Sequence, residues 1–351
     1  MAGVKDSRKR IKLIDKINKV SRYNIIKENS NTHCRKPHVM PGTMNAEVKR
    51  KTGFIGESQM LSFALIICNG DLDLMFSSKS KLTWYEEWFL YFEMVWGRTN
   101  KRWIDTSSSE SYNVSPRTSR RIFDNKVSMI LKCARSWPKH ASFQEDKDLR
   151  DPVWTEKHGD VRITLWDDTN INLQHKPSLA HAQRLTYSSY YGGNCAKGGV
   201  HFQYCGWIGV FELWTGGVSD SECLISALND YGMSILQAQN NFQKTDLINS
   251  VLKPFFNILD KGYRVTQHIF RQNQRVIQPI FATESRSFTG QEGLCISEVA
   301  SDRSGNERAV KCVKLSGFLS TGAEEHQSFV RLNDVWKAFA FQINFMHRPV
   351  V

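Results

Sequence analysis

Apolar residues change their spacing near residue 155. Before it they recur at helical intervals. Beyond it they come in short runs broken by turns. In "LTWYEEWFLYFEMVW" (82–96), Leu82, Trp84, Trp88, Phe89, Phe92, Val95 and Trp96 follow the helical period, which predicts a helix with a buried stripe. In "YNVSPRTSRRIFDNKVSMIL" (112–131), Ser115 can cap a helix that opens with Pro116. Ile122, Val127, Ile130 and Leu131 give this helix its apolar positions, and Arg117, Arg120 and Arg121 crowd its start. A basic helix after a short turn suits the recognition element of a helix-turn-helix. An ordinary solvated helix is the alternative. Residues 56–150 are therefore expected to form a helical, DNA-binding region.

From about 155 the runs 161–166, 196–205, 207–214, 255–259 and 276–281 read as strands. Helical spacing returns at 220–238, 303–315 and 332–345, the last with Leu332, Val335, Trp336, Phe339 and Ile343 on one stripe. Strands followed by interleaved helices predict a mixed α/β domain over 151–351. "YYGGN" (190–194) and "TGG" (215–217) mark turns, and Ser219 or Asp220 can cap the helix that follows. In "GGNCAKGG" (192–199) Lys197 precedes its glycine, the reverse of a P-loop, so a hairpin is the better reading.

Charge adds a partner class. The net charge is +12 and the pI about 9.3, which favours a polyanion such as nucleic acid. From Met1 to Lys51 there are 14 Lys or Arg against 4 Asp or Glu, so residues 1–55 form a separate, basic, flexible extension. Within it "SRKRIKLIDKINK" (7–19) suits a nuclear-localisation signal or a nucleic-acid arm, or else a solvated tail. No secretory signal is expected, and the longest apolar run, 60–68, is too short to cross a bilayer. The eight cysteines include no C-x-x-C pair, which argues against a cysteine zinc site and for reduced thiols. His175, His181 and His201 lack tight ligand spacing, and no G-x-S-x-G elbow appears.

Candidate chemistry rests on carboxylates. "RITLWDDTNI" (162–171) runs a strand into Asp167 and Asp168, and "FFNILDKGYR" (255–264) runs another into Asp260. In the helical "SDRSGNERAVKCVK" (301–314), Glu307 shares a face with Arg303, Lys311 and Lys314 at spacings of four, four and three. Acids at the ends of neighbouring strands can converge, and a helical acid can close the cluster. Three adjacent carboxylates repel unless cations neutralise them. Mg²⁺ or Mn²⁺ suits such oxygen donors, and a pair of ions can activate water for phosphodiester displacement. Lys311 and Lys314 would then hold phosphate. Taken singly, each acid is more often a turn residue or a cap, and Glu307 with Lys311 a surface ion pair; the three in this order tip the balance toward a cluster.

In this order the segments resemble the DDE superfamily endonucleases, specifically PIF/Harbinger-like transposases. The resemblance covers about 155–351 and extends loosely back through the helical region to about 80. "LWDDTNINL" looks like the strand with an Asp-Gly-Thr-His-Ile type motif, and "LTYSSYYGGNCAKGG", "WTGGVSDSECL" and "NILDKGYR" follow in family order. "DRSGNERAVKCVK" is similar to the Arg-x-x-x-Glu-Arg helix, and "LNDVWKAFAFQINFMHRPVV" to the C-terminal end of some members. Asp168 stands where glycine is common, which adds a negative charge. The resemblance implies an RNase H-like mixed sheet flanked by helices, with Asp167, Asp260 and Glu307 as catalytic metal ligands and Asp168 as a structural neighbour. It implies a nuclear, metal-dependent transposase that cuts element ends and joins the 3′-hydroxyl to double-stranded target DNA. A separate DNA-binding partner protein and self-association would accompany it. The alternative is a domesticated DNA-binding protein that keeps the fold without cutting.

Overall fold

The computed structural model describes residues 48–49, 52–76, 80–96, 112–137, 143–159, 161–173, 176–229, 255–265, 275–279, 287–320 and 329–346. The basic arm 7–19, residues 230–238 and 280–281 of the expected elements, Cys34 and His175 lie outside them. The chain divides into two compact units, the first ending at Ser136 and also taking Ser316–Phe318 and the end of the last helix. Residues 137–150, expected with the helical region, group with the second unit. No described helix is long and apolar enough to cross a membrane.

The first unit is helical: α1 (Glu57–Ile67), α2 (Leu72–Phe76), α3 (Trp84–Trp96) and α4 (Pro116–Ser136). In α3 burial goes beyond the expected stripe and takes in every residue from Trp84 to Phe92. Its two acids survive burial through partners. Glu86 closes a capping box with Thr83, and Glu87 meets the Lys126 ammonium at 3.1 Å. Lys126 also lies 4.6 Å over the Trp88 ring. Ser115 caps α4 as its sequence predicts, accepting from the Thr118 N–H at 3.1 Å. Ile122, Phe123, Val127 and Ile130 are buried, whereas Leu131 is only half so. Arg117, Arg120 and Arg121 are exposed at the start of the helix.

The second unit is a mixed sheet flanked by helices. It runs through α5 (Phe143–Leu149), α6 (Pro152–His158), β1 (Arg162–Asn172), α7 (Ala180–Thr186), β2 (Tyr187–Ser188), β3 (Gly193–Gln203) and β4 (Ile208–Thr215). A helix α8 at 220–229 follows, then β5 (Phe255–Ile258), β6 (Arg275–Ile277), α9 (Gly290–Lys314) and α11 (Phe329–Met346), while the short α10 (Gly317–Ser320) starts in the first unit and ends in the second. Strand β3 lies antiparallel between β1 and β4 and pairs with the short β2 at its start. On its other side β1 runs parallel to β5, and β5 parallel to β6.

Successive β1 side chains face opposite ways. Trp166 belongs to a core with Leu224, Ala227 and Leu228 of α8 and Leu259, Tyr263 and Val265 beyond β5. The opposite face is covered by α9, which packs across β1 and β3 and brings Gly305 against the Phe202 ring. Both faces of the sheet are thus covered, and Ile163–Trp166 is buried at every position.

Helix α11 closes the outer edge of β4. Asn344 accepts from the Ile208 N–H at 2.8 Å and donates back to its carbonyl at 2.8 Å. Asn333 accepts from the Leu213 N–H, and the Trp336 indole donates to the Phe211 carbonyl, each at 2.8 Å. Side chains thus satisfy backbone groups that a bare edge strand would offer to another chain.

Candidate functional site

Strand β1 corrects one sequence expectation. Asp167 and Asp168 do not end it. Pairing with β3 carries the strand on through both aspartates, from Thr164 opposite Gln203 to Asn172 opposite Cys195. What ends there is the other partner: β5 reaches only Ile258, opposite Leu165. Asp167 lies two residues past Leu165, and Asp260 two residues past Ile258. Parallel register therefore carries both residues to the same end of the sheet.

Glu307 comes from α9, on the face of the sheet that carries Asp167. Burial is the main influence raising the Asp167 carboxyl, to about 6, and the charges of Asp260 and Glu307 add to it. Arg303 and the Asp168 N–H, which donates to Asp167 Oδ1 at 2.9 Å, act the other way. The three predicted acids therefore share one electrostatic neighbourhood. Arg303 lies among them, with a guanidinium nitrogen 2.9 Å from Asp260 Oδ1. Asp260 Oδ1 also accepts from the Lys261 N–H at 2.5 Å, and Gln278 holds the Asp260 carbonyl at 2.6 Å.

Lys311 and Lys314 are exposed on the same helix. Partial burial of its charged end lowers the Lys314 ammonium, against the pull of Asp167. Arg117, Arg120 and Arg121 belong to the first unit.

Asp168 faces the other way. Its Oδ2 accepts from the Tyr263 hydroxyl at 3.0 Å, and its Oδ1 lies where Gly199 leaves room. Burial chiefly, then the nearby Asp220, pushes its carboxyl up to about 7. Lys197 is buried in mid-strand and reaches the Val218 carbonyl at 2.6 Å and Asp220 at 2.5 Å. This fits a structural lysine in a hairpin strand, not a phosphate loop. Asp302 is also structural, tied to Lys157 and His158.

The donor chemistry fits a hard divalent cation: three carboxylates, one of them held partly against its charge. Among the described residues, however, no three His, Cys, Asp or Glu side chains are placed to hold a metal ion. Arg303 takes up an oxygen that such an ion would need. Its role was readable in part, because it sits four residues before Glu307 on one helical face. Its pairing with Asp260 was not, because that partner comes from another element. Tyr263 carried no sequence signal beyond following Asp260 by three residues.

Comparison of the chain with protein-family models, with curated proteins and with solved structures finds no match.

Proposed function

We propose that the chain is a metal-dependent DNA endonuclease of the DDE type, similar to PIF/Harbinger transposases, on an RNase H-like sheet. The observation that carries this reading is the register of β1 and β5. Asp167 and Asp260 each follow the last parallel pair by two residues, and the charges of Asp260 and Glu307 both act on the Asp167 carboxyl. An antiparallel β4-β3-β1 meander continuing into parallel β5 and β6 supports the fold assignment.

Asp167, Asp260 and Glu307 would hold the metal, which when bound supplies a lowered water pKa and charge stabilisation at the scissile phosphate. The chain's own contribution is orientation and charge. Strand β1 fixes Asp167, and the turn after β5 carries Asp260. Lys311 and Lys314 offer ammonium groups to the phosphates beside them. Arg303 balances Asp260 and is freed when another cation takes that carboxylate. Double-stranded DNA is the substrate, and the exposed arginines of α4 would make a DNA contact of their own as part of a helix-turn-helix. A nuclear location, a DNA-binding partner protein and self-association belong to the same reading.

The test is cleavage of plasmid and of element-end DNA in Mg²⁺ and Mn²⁺. Asp260→Asn keeps shape and removes one anionic ligand. It should lose cleavage by two orders of magnitude or more while DNA binding and the melting curve stay unchanged. Cleavage that survives chelation, or a variant that cuts normally, removes the proposal. A second reading, a DNA-binding protein that no longer cuts, is favoured by one feature. The Arg303 pairing leaves no ready-made metal group among the described residues. Wild-type protein that binds DNA and never nicks it would select that reading.

A further inference from the structure

The turn between β2 and β3 displays two tyrosines. Tyr190 is 87% exposed and Tyr191 56%, with ring centroids 4.9 Å apart in an edge-to-face pair. Leu179, Leu185 and Tyr187, in the segment that leads to the turn, are also exposed. The support beneath is tied down. Asn194 donates to the Gln183 carbonyl at 2.8 Å and to the Thr186 hydroxyl at 2.7 Å, and the Gly217 N–H donates to the Leu185 carbonyl at 3.0 Å. Gly192, at φ +66°, makes the turn that aims the pair outward.

Charge says what can cover these rings. From Thr169 to Phe211 the chain has no Asp or Glu, while Lys176, His181 and Arg184 are exposed. The acids that the fold brings to this corner are engaged: Asp220 by Lys197, and Glu222 by Ser219 in a capping box. Aromatic faces beside exposed Lys176 and Arg184, on a segment without acids of its own, match a nucleic-acid strand, whose bases stack and whose phosphates need cations.

The hairpin also lies in line with the candidate site. Because β3 is antiparallel to β1, its starting turn lies beyond the C-terminal end of β1. From Val200, opposite Asp167, to Gly193 the strand covers about 23 Å at about 3.3 Å per residue. That is about seven nucleotides of stacked DNA.

We propose that Tyr190 and Tyr191 form a stacking platform for unpaired bases of the DNA strand held at Asp167, which rests on the nuclease reading above. Fluorescence anisotropy tests it, with a blunt duplex and the same duplex bearing a single-stranded overhang. The full chain would be compared with a Tyr190→Ala/Tyr191→Ala variant and a Tyr190→Phe/Tyr191→Phe variant. The alanine variant should lose about tenfold or more affinity for overhang DNA and little for the blunt duplex, at an unchanged melting curve. The phenylalanine variant should bind like wild type, because stacking needs the ring and not the hydroxyl. Equal overhang affinity in the alanine variant overturns the platform. So does a wild-type dimer that the alanine variant converts to monomer, since a second copy would then cover the rings. Cleavage assays on the same samples separate the two ideas. Metal-dependent cutting with no tyrosine effect rejects the platform alone. Tyrosine-dependent overhang binding without any cutting rejects the nuclease alone. Wild-type protein that binds no DNA at low salt rejects both.

Discussion

Asp302 and Arg303 are neighbours on α9 that serve different partners. Arg303 reaches Asp260 in the candidate site. Asp302 is buried, with Lys157 Nζ 2.5 Å from one oxygen and His158 Nε2 3.1 Å from the other. Burial alone would raise the Asp302 carboxyl. Those two groups outweigh it and hold the carboxyl below the usual carboxylate range. An acid depressed on folding contributes stability above its unfolded pKa of about 3.9, and loses it as pH falls through the folded value. Asp302→Asn should therefore destabilise the protein at pH 7, by about 1–3 kcal/mol. The difference should begin to shrink below about pH 4, where the unfolded chain binds a proton at this position that folded Asp302 accepts only at lower pH. Melting curves from pH 3 to pH 8 measure this. A gap that stays constant down to pH 3 would show that packing, not charge, holds Asp302.

At the scale of elements, β3 accepts α11 only because Gly198 lacks a side chain. A Cβ there would meet the Trp336 ring at 2.6 Å and Leu213 at 2.9 Å. Gly198→Ala should cost about 1–3 kcal/mol through overpacking. It should lower the urea midpoint at an unchanged slope and promote aggregation through the β4 edge that α11 covers. Gly193→Ala, with nothing within 4 Å, is the matched control. Equal midpoints for the two variants would contradict this account of the α11 contact. The elements also show where periodicity runs out. Helix α9 begins at Gly290, more than three turns before the apolar spacing marks it, because its first turns are exposed and carry no stripe. A local sign was present nonetheless: Thr289 and Glu292 form a capping box, readable as T-x-x-E. Strand β1 outruns its pattern for another reason. Asp-Asp-Thr-Asn has little strand propensity, and β3 supplies the pairing that extends it.

Across the whole molecule, a net charge of +12 governs how the protein meets a polyanion. If Arg117, Arg120 and Arg121 meet phosphates, each contact releases condensed counterions. Replacing all three with Ala should reduce the slope of log K against log salt by roughly 2–3 units, with little change in base preference. Binding isotherms for a random duplex across a salt series give that slope directly. An unchanged slope would make the start of α4 an ordinary solvated face.

Alone, the sequence determined the mixed α/β class, the helical first region, most strand cores and the identity of the candidate acids. Each of these is local: a spacing of apolar residues, a capping Ser115, an aspartate after an apolar run. Tertiary structure decided which of these groups meet. Parallel pairing of Leu165 with Ile258 aligned Asp167 with Asp260, and α9 added Glu307 together with a competing Arg303. The same pairing rules turned Asp168 toward Tyr263 and away from its neighbour. A strand's alternation can be read from one chain segment, but its register depends on which other segment lies beside it, and that is a property of the fold.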